Sequence, residues 1–151
     1  MKNRELLEHK TGIVNILSVL TIEDDELMEK LIMIEDKITV KIEAVNKIRR
    51  ADKNFMTYMD RIEEIKKDHA VKDKKGEIKK IAGTNEYDVP AEKHNVVNYE
   101  IEQLNEEFKA TLDIQEKFLD KDSGIKDKIK KEEIPEKING LMLLGIKALW
   151  I

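Results

Sequence analysis

Apolar residues recur along the first two-fifths of the chain at steps of three and four, the spacing of one face of an α-helix. Residues 3–20 carry Leu6, Leu7, Ile13, Val14, Leu17 and Leu20 in this way, with Gly12 a weak point. Thr21, with Asp24 three residues on and an acidic run through Glu26, predicts an N-cap with favourable charge at the positive end of a new helix. The longest stripe follows. Leu27, Leu31, Ile34, Ile38, Val45, Ile48, Phe55, Met59 and Ile62 advance by alternating fours and threes, with missing beats at Lys41 and Asp52. No Gly or Pro falls between 22 and 75, so the pattern predicts one long helix whose stripe covers about 54 Å. That exceeds the diameter of a compact domain of this mass, so part of the helix should project or lie along a long partner helix. An antiparallel hairpin or bundle within the chain is the leading reading. A homo-oligomeric coiled coil is the alternative, with Asp52 and Lys41 fixing its register.

Beyond residue 62 the pattern breaks up. Gly76, Gly83 and Asn85 punctuate two short pieces, EIKKIA and NEYDV, which predict a small β-hairpin or loop near 76–90. Pro90 suits the first turn of a second helix, and Val97, Ile101, Leu104 and Phe108 carry its face over 91–112. The stretch TLDIQEKFL extends it to 118 as helix or short strand. Residues 119–135 read as a polar linker in which, after Leu119, Ile125, Ile129 and Ile134 are the only large apolar residues. Pro135 then opens an apolar terminal helix, 136–151. Ile138, Leu141, Leu144, Ala148 and Leu149 lie on one face, and Met142, Ile146 and Trp150 widen it past half the circumference. Such a helix is either wedged between two others or shared with another chain. In the second case Leu141, Met142, Leu144, Ile146, Leu149 and Trp150 are the interface. The expectation is one mainly α domain over 1–151, a helical hairpin, bundle or coiled coil with a small insertion near 76–90.

Composition agrees with helices: 40% of the residues are charged and 5% aromatic, with 6 Gly and 2 Pro in 151. The chain has no Cys, which removes disulfides and thiolate chemistry and suits a reducing cytoplasm. The tail 138–151 is shorter than the roughly 20 residues of a spanning helix and is interrupted by Gly140, Gly145 and Lys147. The apolar run GIVNILSVL leads directly into TIEDDE without a small-residue cleavage site, so export is not expected. Net charge is -4 with both signs interspersed, which gives no general pull toward nucleic acid. One segment departs from this. Lys66, Lys67, Lys72, Lys74, Lys75, Lys79 and Lys80 stand against Glu64, Asp68, Asp73 and Glu77, a local +3. They are candidate phosphate contacts, although Tyr87 is the only aromatic nearby and a solvated hairpin is the leading reading.

Patterns that carry chemistry are sparse. His9, His69 and His94 are far apart and form no metal-binding spacing. Ser18 and Ser123 lack a nucleophile-elbow context. The six glycines make no phosphate loop. Glu23, Asp24, Asp25 and Glu26 suit a helix N-terminus without any metal, and LDKDSG at 119–124 lacks the closing Glu of a calcium loop. No enzyme activity, cofactor or metal is expected.

The order of parts, a charged long helix, KDHAVKDKKGEIKKIAGTNEYDVPAE and then EIEQLNEEFKATLDI, resembles short proteins encoded by phages and prophages of Gram-positive bacteria. The similarity covers roughly residues 25–120, and the first 20 residues and the Trp-containing tail fit it less well. It implies a phage setting in the bacterial cytoplasm and brings no site residues with it. A phage setting implies a small non-enzymatic binding protein, with inhibition of a host defence nuclease as one concrete form. A virion or tail-assembly component is the alternative, and nucleic-acid binding through Lys66–Lys80 the third.

Overall fold

The computed structural model describes residues 1–150; Ile151, which ends the expected terminal helix, lies outside the described residues. The protein is mainly helical, 66% helix, and has no sheet among the described residues. Six α-helices follow in order: α1 Leu6–Leu17, α2 Asp25–Arg50, α3 Lys53–Asp68, α4 His94–Glu107, α5 Lys109–Leu119 and α6 Gly140–Leu144. None of them is long and apolar enough to cross a membrane. The chain forms two compact units, residues 1–48 with 116–151, and residues 49–115. The sequence pattern had suggested a single domain.

The first unit is built around α2. Leu27, Leu31, Ile34, Ile38 and Val45 are buried, and Leu6, Ile13 and Ile16 of α1 join the same core. Thr21 caps the entry to α2 as expected: its N–H donates to Asp24 Oδ2 at 2.9 Å, and the Asp24 N–H returns to the Thr21 carbonyl. The other side of this core comes from a segment expected to be a solvated linker. Ile129 is 1% exposed, and Ser123 donates both its N–H and its hydroxyl to the Met1 carbonyl. Asn3 ties the same region down, through its N–H to the Lys121 carbonyl and its Nδ2 to the Phe118 carbonyl. Residues 119–135 are therefore structural. An apolar residue every fourth or fifth position in a polar run gives no helix or strand period, but it suffices for an irregular segment laid over a core.

Ion pairs hold this covering segment on both sides. Arg4 reaches Glu116 at 2.7 Å and Asp120 at 2.8 Å, Lys30 reaches Glu133 at 3.0 Å, and Lys37 reaches Asp127 at 2.9 Å. Lys137 pairs with Asp24. The Lys137 ammonium and the Thr21 N–H hold the Asp24 carboxyl below its usual range. Arg4 does the same for Asp120. The Lys130 N–H, with Lys30 adding to it, lowers Glu133. Each pair keeps at least one side chain in solvent, so each adds little to stability. Their effect is to set the register of the segment.

The second unit is a helical hairpin of α3 and α4 closed by the first turns of α5. Phe55, Tyr58 and Leu104 are its buried centre, with Ile62, Ile65, Phe108 and Leu112 around them. The Tyr58 ring lies 6.3 Å from Phe55 and 5.6 Å from Phe108, distances at which aromatic pairs attract. Its hydroxyl donates to Asn105 Oδ1 at 2.5 Å, and burial pushes its pKa up. Arg49 donates to Gln115 Oε1 at 2.8 Å and lies over the Phe55 ring, which accounts for a buried glutamine at the end of this unit.

The single long helix of the sequence reading is thus two helices. Asp52 is not a polar beat on a continuous stripe; its side chain accepts the N–H of Asn54 at 3.0 Å and of Phe55 at 3.2 Å and caps α3. The break restarts the register, so Phe55, Tyr58, Ile62 and Ile65 face inward at steps of three, four and three. Two residues of the expected stripe fall off it. Ile48 is 56% exposed at the end of α2, and Met59 is 42% exposed on the flank of α3.

Candidate interaction site

The C-terminal segment differs most from its expectation. No helix starts at Pro135. Asn139 caps instead, accepting the Met142 N–H at 2.9 Å, and α6 lasts five residues before a turn of 3-10 helix at Lys147–Leu149. The apolar residues therefore do not share a helical face. Ile138, Ile146 and Leu149 are buried in the core of the first unit, and Met142 and Leu143 pack against it. Trp150 is half-buried, and its indole N–H donates to the Leu143 carbonyl at 3.2 Å. Leu141 and Leu144 remain 81% and 62% exposed. Of the six residues proposed from sequence as an interface, Ile146 and Leu149 are core and these two leucines are surface.

The crossing of α1 with this segment explains two glycines. A Cβ built on Gly12 would stand 2.4 Å from the Gly145 carbonyl oxygen, closer than any side-chain carbon can approach. Gly12 is the contact point that lets the two backbones touch. Next to it, His9 is completely buried on α1. Its Nδ1 lies 2.8 Å from the Glu5 carbonyl and its Nε2 lies 3.0 Å from the Ala148 amide nitrogen. A carbonyl can only accept and an amide N–H can only donate, so the ring is neutral with its proton on Nδ1. The histidine pattern had given no sign of this role, because its partners are backbone atoms and one lies 139 residues away.

The other candidate residues lie in the second unit. Backbone hydrogen bonds close a small triangle in the expected hairpin: Val71 N–H to Asp88, Asp88 N–H to Lys79, and Lys79 N–H to Val71, at 2.7, 3.0 and 2.7 Å. Isolated bridges Lys72–Ile78 and Lys80–Tyr87 flank it, and Gly76 and Gly83 take the positive φ that its two turns need. Lys66, Lys67, Lys72, Lys74, Lys75, Lys79 and Lys80 are all exposed. None of the seven takes part in an ion pair among the described residues. Lys80 sits 5.5 Å above the Tyr87 ring and so covers one face of the only aromatic available for stacking.

A cleft of about 470 Å³ opens between this hairpin, α3 and α4, lined by Met59, Ile62, Ile81, Tyr87, Val89 and Val97 with Glu63, Lys66, Glu86 and His94 among them. His94 donates from Nε2 to the Val89 carbonyl at 3.0 Å, and His69 Nε2 lies 3.1 Å from Glu100. Both are structural ties, and the mixed charges of the cleft select no ligand sign. Among the described residues no three His, Asp or Glu side chains gather as a metal would require. The Glu23–Glu26 run starts α2, and its Asp24 pairs with Lys137. No protein-family model matches the chain, and no curated protein or solved structure matches it either.

Proposed function

We propose that this protein acts by holding another protein, without catalysis of its own, and that the first unit presents the surface. The observation that carries the reading is the division of labour in the C-terminal segment. Ile146 and Leu149 fix it in the core, while Leu141 and Leu144 stand out on α6. Large apolar side chains held outward on an anchored backbone supply the kind of contact that interface centres use, at small ordering cost. α1 packs on α6 and adds exposed Leu7 and Val14. The resemblance to phage proteins supports the concrete form: an inhibitor of a host protein, such as a defence nuclease, in the bacterial cytoplasm.

Recovery of partners from host lysate by the tagged protein, followed by mass spectrometry, tests this. One stoichiometric prey is expected, and Leu141→Glu with Leu144→Glu should lose it while circular dichroism shows unchanged helix. A host enzyme as prey fits inhibition; capsid or tail proteins fit assembly. Equal recovery by both proteins, or no stoichiometric prey, ends the reading. A second reading, contact with nucleic acid, is favoured by the seven lysines without carboxylate partners. It weighs less because Lys80 occupies Tyr87, and a gel shift without retardation at low salt would end it.

A further inference from the structure

We propose that Asn139 is a spontaneous modification site, where deamidation through a succinimide ages the surface formed by Leu141 and Leu144. An asparagine closes this ring when the backbone nitrogen of the next residue reaches its Cγ. The reaction needs a following residue with no side chain in the way, an N–H that is not already spent, and room for the backbone to turn. The chain has nine asparagines, and only Asn139 is followed by glycine. The structure separates them further. Asn15, Asn46, Asn98 and Asn105 lie inside α-helices, whose ladders take the following amide. Asn3 is buried, and Asn95 is followed by the branched Val96. After Asn54, Asp52 Oδ1 holds the Phe55 N–H at 3.2 Å; after Asn85, Thr84 Oγ1 holds the Glu86 N–H at 3.2 Å.

The Gly140 N–H, by contrast, has no acceptor among the described residues, because the helical ladder gives the first amide of α6 no partner. Asn139 and Gly140 are both exposed, and a Cβ built on Gly140 would meet nothing within 4 Å. One contact opposes the attack. Asn139 Oδ1 accepts the Met142 N–H at 2.9 Å, and this bond has to open before Cγ can turn toward Gly140. Opening a cap of this kind slows the attack about fivefold, the equivalent of about 1 kcal/mol. A helix of five residues adds little cooperative resistance of its own.

The Gly140 nitrogen gives its proton to solvent base and bonds to Asn139 Cγ, and the side-chain nitrogen leaves as ammonia. Water then opens the ring at either carbonyl. Opening at Cγ restores the backbone and leaves aspartate, which caps as well as asparagine does. Opening at the original backbone carbonyl leaves isoaspartate, with the chain running through Cβ and Cγ and the carboxylate on Cα. In both products water has replaced ammonia, and the protein carries one more negative charge than its formal -4. Isoaspartate lengthens the backbone by one atom and removes the acceptor of the Met142 N–H. Ile138 before it and Ile146 after it are core residues, so the stretch between them takes up the extra atom. That stretch carries Leu141 and Leu144. The loss of surface rests on the binding role proposed for these leucines; the modification does not.

Ageing the folded protein in mildly alkaline buffer at 37 °C, beside a synthetic peptide of residues 135–145, tests the site. Peptide mass spectrometry should find the amide-to-acid mass gain at Asn139 before any other asparagine, mostly as isoaspartate, at a rate within about tenfold of the peptide's. Gly140→Ala, whose added carbon has free space, should suppress the gain. Slower conversion than that, earlier gain at another asparagine, or an equal rate in Gly140→Ala overturns the site. The consequence is read on the isoaspartate form separated by ion exchange. Its Met142 amide should lose hydrogen-exchange protection while far-UV circular dichroism holds, and Asn139→Asp should keep that protection; retained protection in the isoaspartate form overturns the switch. These readouts need no partner, so they stand apart from the lysate experiment. Where a prey requires Leu141 and Leu144, the isoaspartate form should lose it and Asn139→Asp should retain it, and equal binding by both also overturns the switch.

Discussion

At the scale of single residues, the smallest side chains set the closest contacts. Gly12 sits in the middle of α1, where glycine weakens a helix relative to alanine by roughly 0.5–1 kcal/mol. Helix propensity alone therefore favours Gly12→Ala. The structure reverses that sign, because the added carbon would lie 2.4 Å from a backbone oxygen that no side-chain rotation can move. Gly12→Ala is expected to destabilise the protein by about 1–3 kcal/mol, the usual cost of overpacking. Gly145→Ala meets the Gly12 Cα at 3.1 Å and should cost clearly less. Thermal unfolding of the two variants checks the order; a stabilised Gly12→Ala would mean the helices do not cross there.

At the scale of elements, capping decides where α2 ends. Helical propensity and apolar spacing both favour continuation through 49–55, and no Gly or Pro interrupts. Asp52 competes by offering its carboxylate to two amides at once, a bond it makes only with its own backbone extended. Asp52→Ala should cost about 1 kcal/mol, within the usual range for a lost N-cap, and Asp52→Asn should cost little. Equal losses for both substitutions in denaturant titration would assign the effect to charge instead of the cap. The same restart explains Tyr58. Counted from Asp52, Phe55, Tyr58, Ile62 and Ile65 form the inward face, a pattern present in the sequence but hidden by running the earlier register through the break.

At the scale of the whole molecule, the α2 stripe is satisfied inside the chain. Its partners are α1 and residues 129, 138, 146 and 149, from the far end of the sequence. Ending the chain after residue 145 removes Ile146 and Leu149 from that core, and large apolar deletions cost about 2–5 kcal/mol each. The sum rivals the entire stability of an ordinary domain, so the truncated protein should lose the helix signal of the first unit. Retention of full helix content by circular dichroism would show that the segment is an appendage.

What the sequence by itself determined is helical character, the caps at Thr21 and the inward face of α2, because three- and four-residue spacing and local capping act within one or two turns. It also contained the hairpin near 76–90, marked by glycines whose positive φ the turns require. Tertiary structure decided the rest. Whether Leu141 is surface and Ile146 core depends on where α6 stops, and it stops at Leu144, beside the Gly145 that lies against Gly12. The burial of Ser123 depends on Met1 returning to meet it, and that of Ile129 on the C-terminal segment, whose Leu149 carbonyl takes its N–H. His9 acquired a partner 139 residues away only when the two ends of the chain came together. Contacts of that kind leave no period in a sequence, because the packing that makes them links segments with no regular spacing between them.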